Sequence, residues 1–177
     1  MSCQEIHVKQ KKFFAEGITR PVNYRKDALE RLLDNLTHRQ DEFLESLHSD
    51  LGKPPLEGWL SEVHFLRTEL RLILSNLDRW LRPVRVGNPF FVQPARSRIF
   101  REPFGTSLVI APWNYPLQLA LGPAIASIAA GNCLTLKPSE FTPATSQALA
   151  QLIKDSFEPG HFTVVQGKAA TSAALLK

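Results

Sequence analysis

Between positions 26 and 51 the apolar side chains Ala28, Leu29, Leu32, Leu33, Leu36, Phe43, Leu44, Leu47 and Leu51 recur every three or four residues. That spacing places them on one side of a helix, so the pattern predicts one amphipathic helix over 26–51, with Gly52 as its stop. Lys53-Pro54-Pro55 interrupts the chain, because proline removes a backbone donor and crowds the preceding turn. The same period then returns at Trp59, Leu60, Val63, Leu66, Leu70, Ile73, Leu74, Leu77 and Trp80, until Pro83 ends it. A second helix is expected there, packed antiparallel to the first, with Trp59 and Trp80 in the core.

Residues 90–93 and 97–101 are short and rich in aromatic and branched side chains, with Pro94-Ala95-Arg96 between them. They predict a two-stranded ribbon, which is marginal alone and needs other protein to pack against, another subunit included. After Pro103 the period alternates between two kinds. Strands are predicted over 107–110, 133–136 and 162–165, and helices over 117–130 and 143–157, followed by Gly167 and the start of another helix. Strand-helix-strand alternation implies right-handed crossovers and a parallel sheet. The expected class is therefore α/β: a leading helical pair, a protruding ribbon and part of a Rossmann-like parallel sheet. The expected division is 1–85 helical, 86–102 ribbon and 103–177 nucleotide-binding.

Composition narrows the function without choosing it. Of 177 residues, 44% are hydrophobic and 21% charged, which is globular composition. No apolar run approaches the roughly 18 residues of a membrane span. The net charge of +4 is spread along the chain, which argues against nucleic-acid binding, since that wants a concentrated basic face. Met1-Ser2-Cys3-Gln4-Glu5 does not read as a secretion signal, and cytoplasmic location is the expectation. The terminus around Cys3 is expected to fray. Cys3 and Cys133 lack metal-ligand or redox-pair spacing, and Cys133, inside an apolar strand, reads as a buried small hydrophobe. His7, His38, His48, His64 and His161 are expected at solvated positions; no metal site is expected.

Two blocks carry the candidate chemistry. In Ile110-Ala111-Pro112-Trp113-Asn114-Tyr115-Pro116, a carboxamide follows directly on a strand end. Asn114 offers two N–H donors and no charge, which suits a developing oxyanion; a turn asparagine capping the next helix is the competing reading. In Leu136-Lys137-Pro138-Ser139-Glu140, an ammonium and a carboxylate follow the next strand. They are suited to ribose hydroxyls or a phosphate, and a solvated ion pair beside a helix cap is the alternative. Gly167 reads either as a close approach to a cofactor or as a turn glycine. There is no G-x-G-x-x-G turn.

Taken with Glu102-Pro103-Phe104-Gly105 and Ala129-Ala130-Gly131-Asn132, these blocks resemble the N-terminal portion of an aldehyde dehydrogenase, and the long helices with the short ribbon resemble the class 3 branch. The resemblance implies oxidation of an aldehyde to a carboxylate through a cysteine thiohemiacetal and thioester, with NAD or NADP as cofactor. It makes Asn114 the oxyanion donor, sets Ala111, Pro112 and Trp113 along the nicotinamide and gives the adenosine ribose to Lys137 and Glu140. Ile110, Ser139 and Gly167 complete the expected cofactor contacts. The ribbon would join subunits into a homodimer or larger homo-oligomer. The family's cysteine nucleophile and general-base glutamate are expected downstream of Lys177, so these residues alone are expected to be inactive. A non-catalytic binding or association module of the same fold is the rival reading.

Overall fold

Residues 2–176 are described by a computed structural model. In chain order they form α1 (Cys3–Ala15), α2 (Val22–His38), α3 (Gln40–Leu51), α4 (Pro55–Gly58), a π-helical turn (Trp59–His64) and α5 (Phe65–Trp80). The ribbon strands β1 (Val84–Val86) and β2 (Ser97–Ile99) follow. Then come β3 (Thr106–Ile110), α6 (Gln118–Ala130), β4 (Cys133–Lys137), α7 (Pro143–Ser156), β5 (Phe162–Val164) and α8 (Ala169–Leu175).

The expected α/β architecture is present. Strands β3, β4 and β5 lie in that order in a parallel sheet, and the register pairs Ile110 with Lys137. Side chains alternate across a strand, so Leu134, Leu136 and Phe162 enter the core with Leu121, Ile125 and Ile128 of α6 and Leu149 and Leu152 of α7. The apolar stripes of α2 and α5, among them Leu29, Leu32, Leu36, Leu66 and Leu70, close the same core from outside.

The predicted helix over 26–51 is two helices, α2 and α3, broken at Arg39 (φ −98°, ψ 16°). Just before the break, the Thr37 hydroxyl donates to the Leu33 carbonyl and the His38 ring meets the Asp34 carbonyl. Side chains that engage the carbonyls of the preceding turn compete with the helical ladder and bend it. Gly52 ends α3 in the left-handed conformation (φ 65°), as its position after the last apolar residue predicts.

The terminus expected to fray is an ordered helix, α1. Ser2 and Glu5 form a reciprocal capping box, a signal present in the sequence as Ser2-x-x-Glu5. The helix lies across the sheet face opposite α6 and α7. There Gln10 donates to the Leu134 carbonyl at 2.6 Å and accepts from the Thr135 hydroxyl at 2.9 Å. The ribbon is also shifted from expectation. Its first strand is Val84–Val86, paired antiparallel with Ser97–Ile99, while Phe90–Val92 forms the 3-10 turn between them. Gly87-Asn88-Pro89 interrupts the extended run, and the Asn88 amide closes the loop on the Ala95 carbonyl. Trp80 is exposed and Trp59 half-buried, stacked on His64, so neither is a core residue.

His161 is also misplaced by the sequence reading, which set it in solvent. It is fully buried, stacked on Phe13 of α1, edge-on to Phe157, with its Nδ1 3.2 Å from the Tyr24 hydroxyl. Burial pushes its pKa down to about 4. The folded chain thus keeps the ring neutral where the unfolded chain protonates it. Stability contributed by this site is complete above the ordinary histidine pKa and falls as pH drops toward 4, by about 3 kcal/mol in total. Urea unfolding at about pH 7 and about pH 4.5 should show that loss in the native sequence and a reduced loss in His161→Phe; equal pH dependence in the two would exclude the assignment.

Candidate active site

The two sequence blocks meet at one edge. Parallel strands side by side present their C-terminal ends together, and in α/β sheets that edge is where ligands bind. The register holds Ile110 beside Lys137, and one residue further the Ala111 N–H donates to the Lys137 carbonyl at 3.0 Å. Beyond Ala111 the chain leaves the sheet through Pro112, Trp113, Asn114 and Tyr115 before α6 begins. Ala111 is buried, whereas Ile110, Pro112, Trp113 and Asn114 are exposed on this edge.

Asn114 does not cap α6. The Leu117 and Gln118 N–H groups, free at the start of that helix, donate to Oε2 of Glu62 at 2.8 and 3.2 Å. The Asn114 carboxamide is exposed and forms no hydrogen bond to another described residue, so the capping reading fails. Glu62 itself is fully buried in the π-helical turn and its other oxygen is paired with the Lys53 ammonium. That ammonium lies 4.0 Å from the centroid of the Tyr115 ring, within cation–π range.

The second block forms a tighter unit. Lys137 is almost fully buried, and its ammonium pairs with Glu140, whose carboxyl stays half-buried. The hydrogen bond from Lys137 holds the Glu140 carboxyl below the usual carboxylate range, aided by its own backbone N–H. Ser139 is buried and turns the chain, its hydroxyl accepting from Phe141 N–H and its carbonyl accepting from Ser146. Next to the pair is a cavity of about 250 Å³ lined by Ser139, Glu140, Ser146, Gln166, Gly167 and Lys168. Gly167 is needed for packing as well, since a β-carbon there would meet the Thr171 hydroxyl at 2.1 Å.

Of the expected residues, Ser139, Glu140 and Gly167 thus share one cavity, with Lys137 anchoring Glu140. Ile110 to Asn114 line the neighbouring strand end and are not part of that cavity's wall. Gln166 and Lys168 escaped the sequence reading, although they flank Gly167. So did Asp50, which accepts from the N–H groups of Ala144 and Thr145 at 3.1 and 2.8 Å and thereby caps α7. Glu62 was missed because hydropathy assigns a charged side chain to solvent, although it lies four residues before the buried Leu66, and Lys53 because it stands in the break at 53–55. Leu60, assigned to the apolar stripe, is exposed, while Glu62 is buried.

The chain belongs to the aldehyde dehydrogenase family, whose family model matches residues 7–177. It is 38% identical over 164 residues to aldehyde dehydrogenase family 3 member H1 of Arabidopsis thaliana, covering 93% of this chain and 34% of that protein. It is 40% identical over 176 residues to 4,4'-diapolycopene-4,4'-dial dehydrogenase of Cytobacillus firmus, covering 98% of this chain and 38% of that one. A solved structure, the substrate-bound state of Staphylococcus aureus AldH, superposes with a TM-score of 0.96 at 32% identity, over 98% of this chain and 38% of that one. The chain therefore spans about a third of the length of the curated relatives it matches. Among the described residues no helix is long and apolar enough to cross a membrane, and no group of three or more His, Cys, Asp or Glu is placed to hold a metal ion.

Cys133 is no nucleophile in this setting. It is fully buried in β4, and burial pushes its thiol up to about 11, far from the reactive thiolate range. Iodoacetamide at about pH 8 should label one thiol of the folded chain, Cys3, and both after unfolding. Rapid labelling of Cys133 in the native chain would contradict the burial.

Proposed function

We propose that this chain is the N-terminal part of an NAD(P)-dependent aldehyde dehydrogenase that oxidises an aldehyde to a carboxylate. The observation that carries the reading is the β3–β4 register, which sets the Asn114 loop and the Lys137–Glu140 pair side by side at one sheet edge. Residues 1–85 and 103–177 are read as the cofactor-binding part, and 86–102 as the ribbon through which subunits of a homo-oligomer associate. The exposed Phe90, Phe91, Ile99 and Phe100 favour that role, since an unpartnered apolar ribbon is unstable alone.

The donor set fits a dinucleotide. A carboxylate held ionised by a buried ammonium accepts hydrogen bonds from the vicinal hydroxyls of a ribose, and Ser139, Gln166 and Lys168 add further polar groups around the same cavity. At about 250 Å³ that cavity is smaller than the roughly 300–1,000 Å³ of a pocket that encloses a drug-sized ligand, so it suits one sugar rather than a whole dinucleotide. The exposed Ile110 and Trp113, with Ala111 and Pro112 between them, supply the apolar surface for the nicotinamide end. NAD or NADP bound here would supply hydride acceptance; the Glu140 carboxylate favours a free 2′-hydroxyl over a 2′-phosphate.

Asn114 supplies the electrostatic part. When a nucleophile adds to the aldehyde carbon, negative charge grows on the carbonyl oxygen. The Asn114 Nδ2 group, which bonds to no other described residue, donates to that oxygen without first breaking another bond. Neither Cys3 nor Cys133 fits the nucleophile, so the thiol and the base are taken to come from outside residues 1–177, and these residues by themselves are not expected to turn over. In the complete enzyme, Asn114→Ala should lower kcat by about 10²–10³-fold with little change in dinucleotide affinity. A coupled assay of aldehyde-dependent NADH or NADPH formation reads the rate, and an unchanged kcat would refute the oxyanion role.

A further inference from the structure

We propose that the buried Lys53–Glu62 pair is a positioning device that keeps the Asn114 carboxamide free by occupying the helix N–H groups that Asn114 would otherwise cap. The inference rests on the oxyanion reading of Asn114 and adds the residues that make it possible. Asparagine is among the strongest helix-capping side chains, and Asn114 lies three residues before Leu117, where α6 begins without a local side-chain cap. Left alone, the first turn of α6 has unsatisfied donors and a partial positive charge, and Asn114 is the capping-type side chain that immediately precedes it in sequence. A turn rearranged to satisfy them would commit the carboxamide to its own backbone.

Glu62 removes that option. One of its oxygens takes both the Leu117 and the Gln118 N–H groups, and the other takes the Lys53 ammonium. A fully buried carboxylate is costly unless every lone pair is used, and here three donors converge on it. Glu62 lies in the π-helical turn at Trp59–His64, four residues before the buried Leu66, while Leu60 in the same turn is exposed. Such turns are rare and concentrate at functional sites. The Lys53 ammonium also holds the loop directly, because it lies over the ring of Tyr115, the residue next to Asn114. The loop is therefore pinned at three points. Ala111 N–H is fixed on Lys137 at its start, Tyr115 is held under Lys53 in the middle, and Leu117 and Gln118 are fixed on Glu62 at its end. Between these pins, the Asn114 side chain bonds to no other described residue.

The pair touches no reacting atom, so its effect must pass through Asn114. The test is a double-mutant cycle in the complete enzyme, using Glu62→Gln and Asn114→Ala with kcat, aldehyde KM and NAD dissociation constant measured for each. Glu62→Gln keeps the shape but replaces one acceptor oxygen with a donor. It should lower kcat by about 10–10²-fold, leave NAD affinity unchanged, and change kcat by less than about twofold when Asn114 is already alanine. Should Glu62→Gln fail to fold, Lys53→Met, which leaves the Glu62–backbone bonds in place, should show a smaller loss with the same dependence on Asn114. Losses that multiply in the double mutant, or an unchanged kcat in the Glu62 and Lys53 variants, overturn the positioning role while leaving the oxyanion reading intact. An Asn114→Ala enzyme with full kcat overturns both.

Discussion

Two carboxylates from the leading helices, Asp50 and Glu62, close the N-termini of α7 and α6, and the arrangement of the sheet edge depends on them. Neither helix has a side-chain cap of its own. The first N–H groups of each helix would otherwise be left without partners next to the crevice where β3 and β4 end. Because the caps come from distant sequence, they also join the helical part to the sheet. Asp50 sits near the end of α3, and Glu62 in the π turn that leads into α5. The hydrophobic core packs these parts together, and the capping bonds add directional contacts at the sheet edge.

The same two caps constrain what the edge can recognise. A free helix N-terminus after the first strand is where dinucleotide-binding sheets commonly hold a pyrophosphate. Here both positions are filled by protein carboxylates, which repel phosphate, and no glycine-rich turn precedes α6. On the proposed reading, recognition is left to the ribose, through Glu140 and its neighbours, and to the nicotinamide end, through Ile110 to Trp113. The Lys137 ammonium is buried and committed to Glu140, so it acts by keeping that carboxylate charged and aimed.

The elements with strong periodicity were legible from the sequence: the parallel strands and their crossover helices lie where the pattern puts them, and the leading stretch is helical as expected, though divided at Arg39. What escaped was decided by single side chains acting over distance. Thr37 and His38 break a helix whose apolar pattern runs through the break unaltered. The capping box at Ser2 and Glu5 was readable, yet the docking of α1 depends on Gln10 and His161, polar residues that hydropathy assigns to solvent. In the ribbon, Val84-Arg85-Val86 is a shorter signal than the aromatic run at 90–93, and Asn88 and Pro89 turn that run into a loop. At the site, Asn114, Lys137 and Glu140 were visible because strand ends mark them. Glu62 was not, because a carboxylate on the buried face, four residues before Leu66, is read by hydropathy as a solvent position.

On the proposed reading, the C-terminal edge of β3 and β4 is a nicotinamide dinucleotide site. Titrating NAD into the isotopically labelled protein and following backbone amide resonances tests it directly. The expected result is a set of saturable shifts confined to residues 110, 111, 113–115, 139, 140 and 166–168. Shifts confined to the opposite sheet face, around Cys3, His7 and Thr135, or no shifts in an otherwise folded protein, would contradict it.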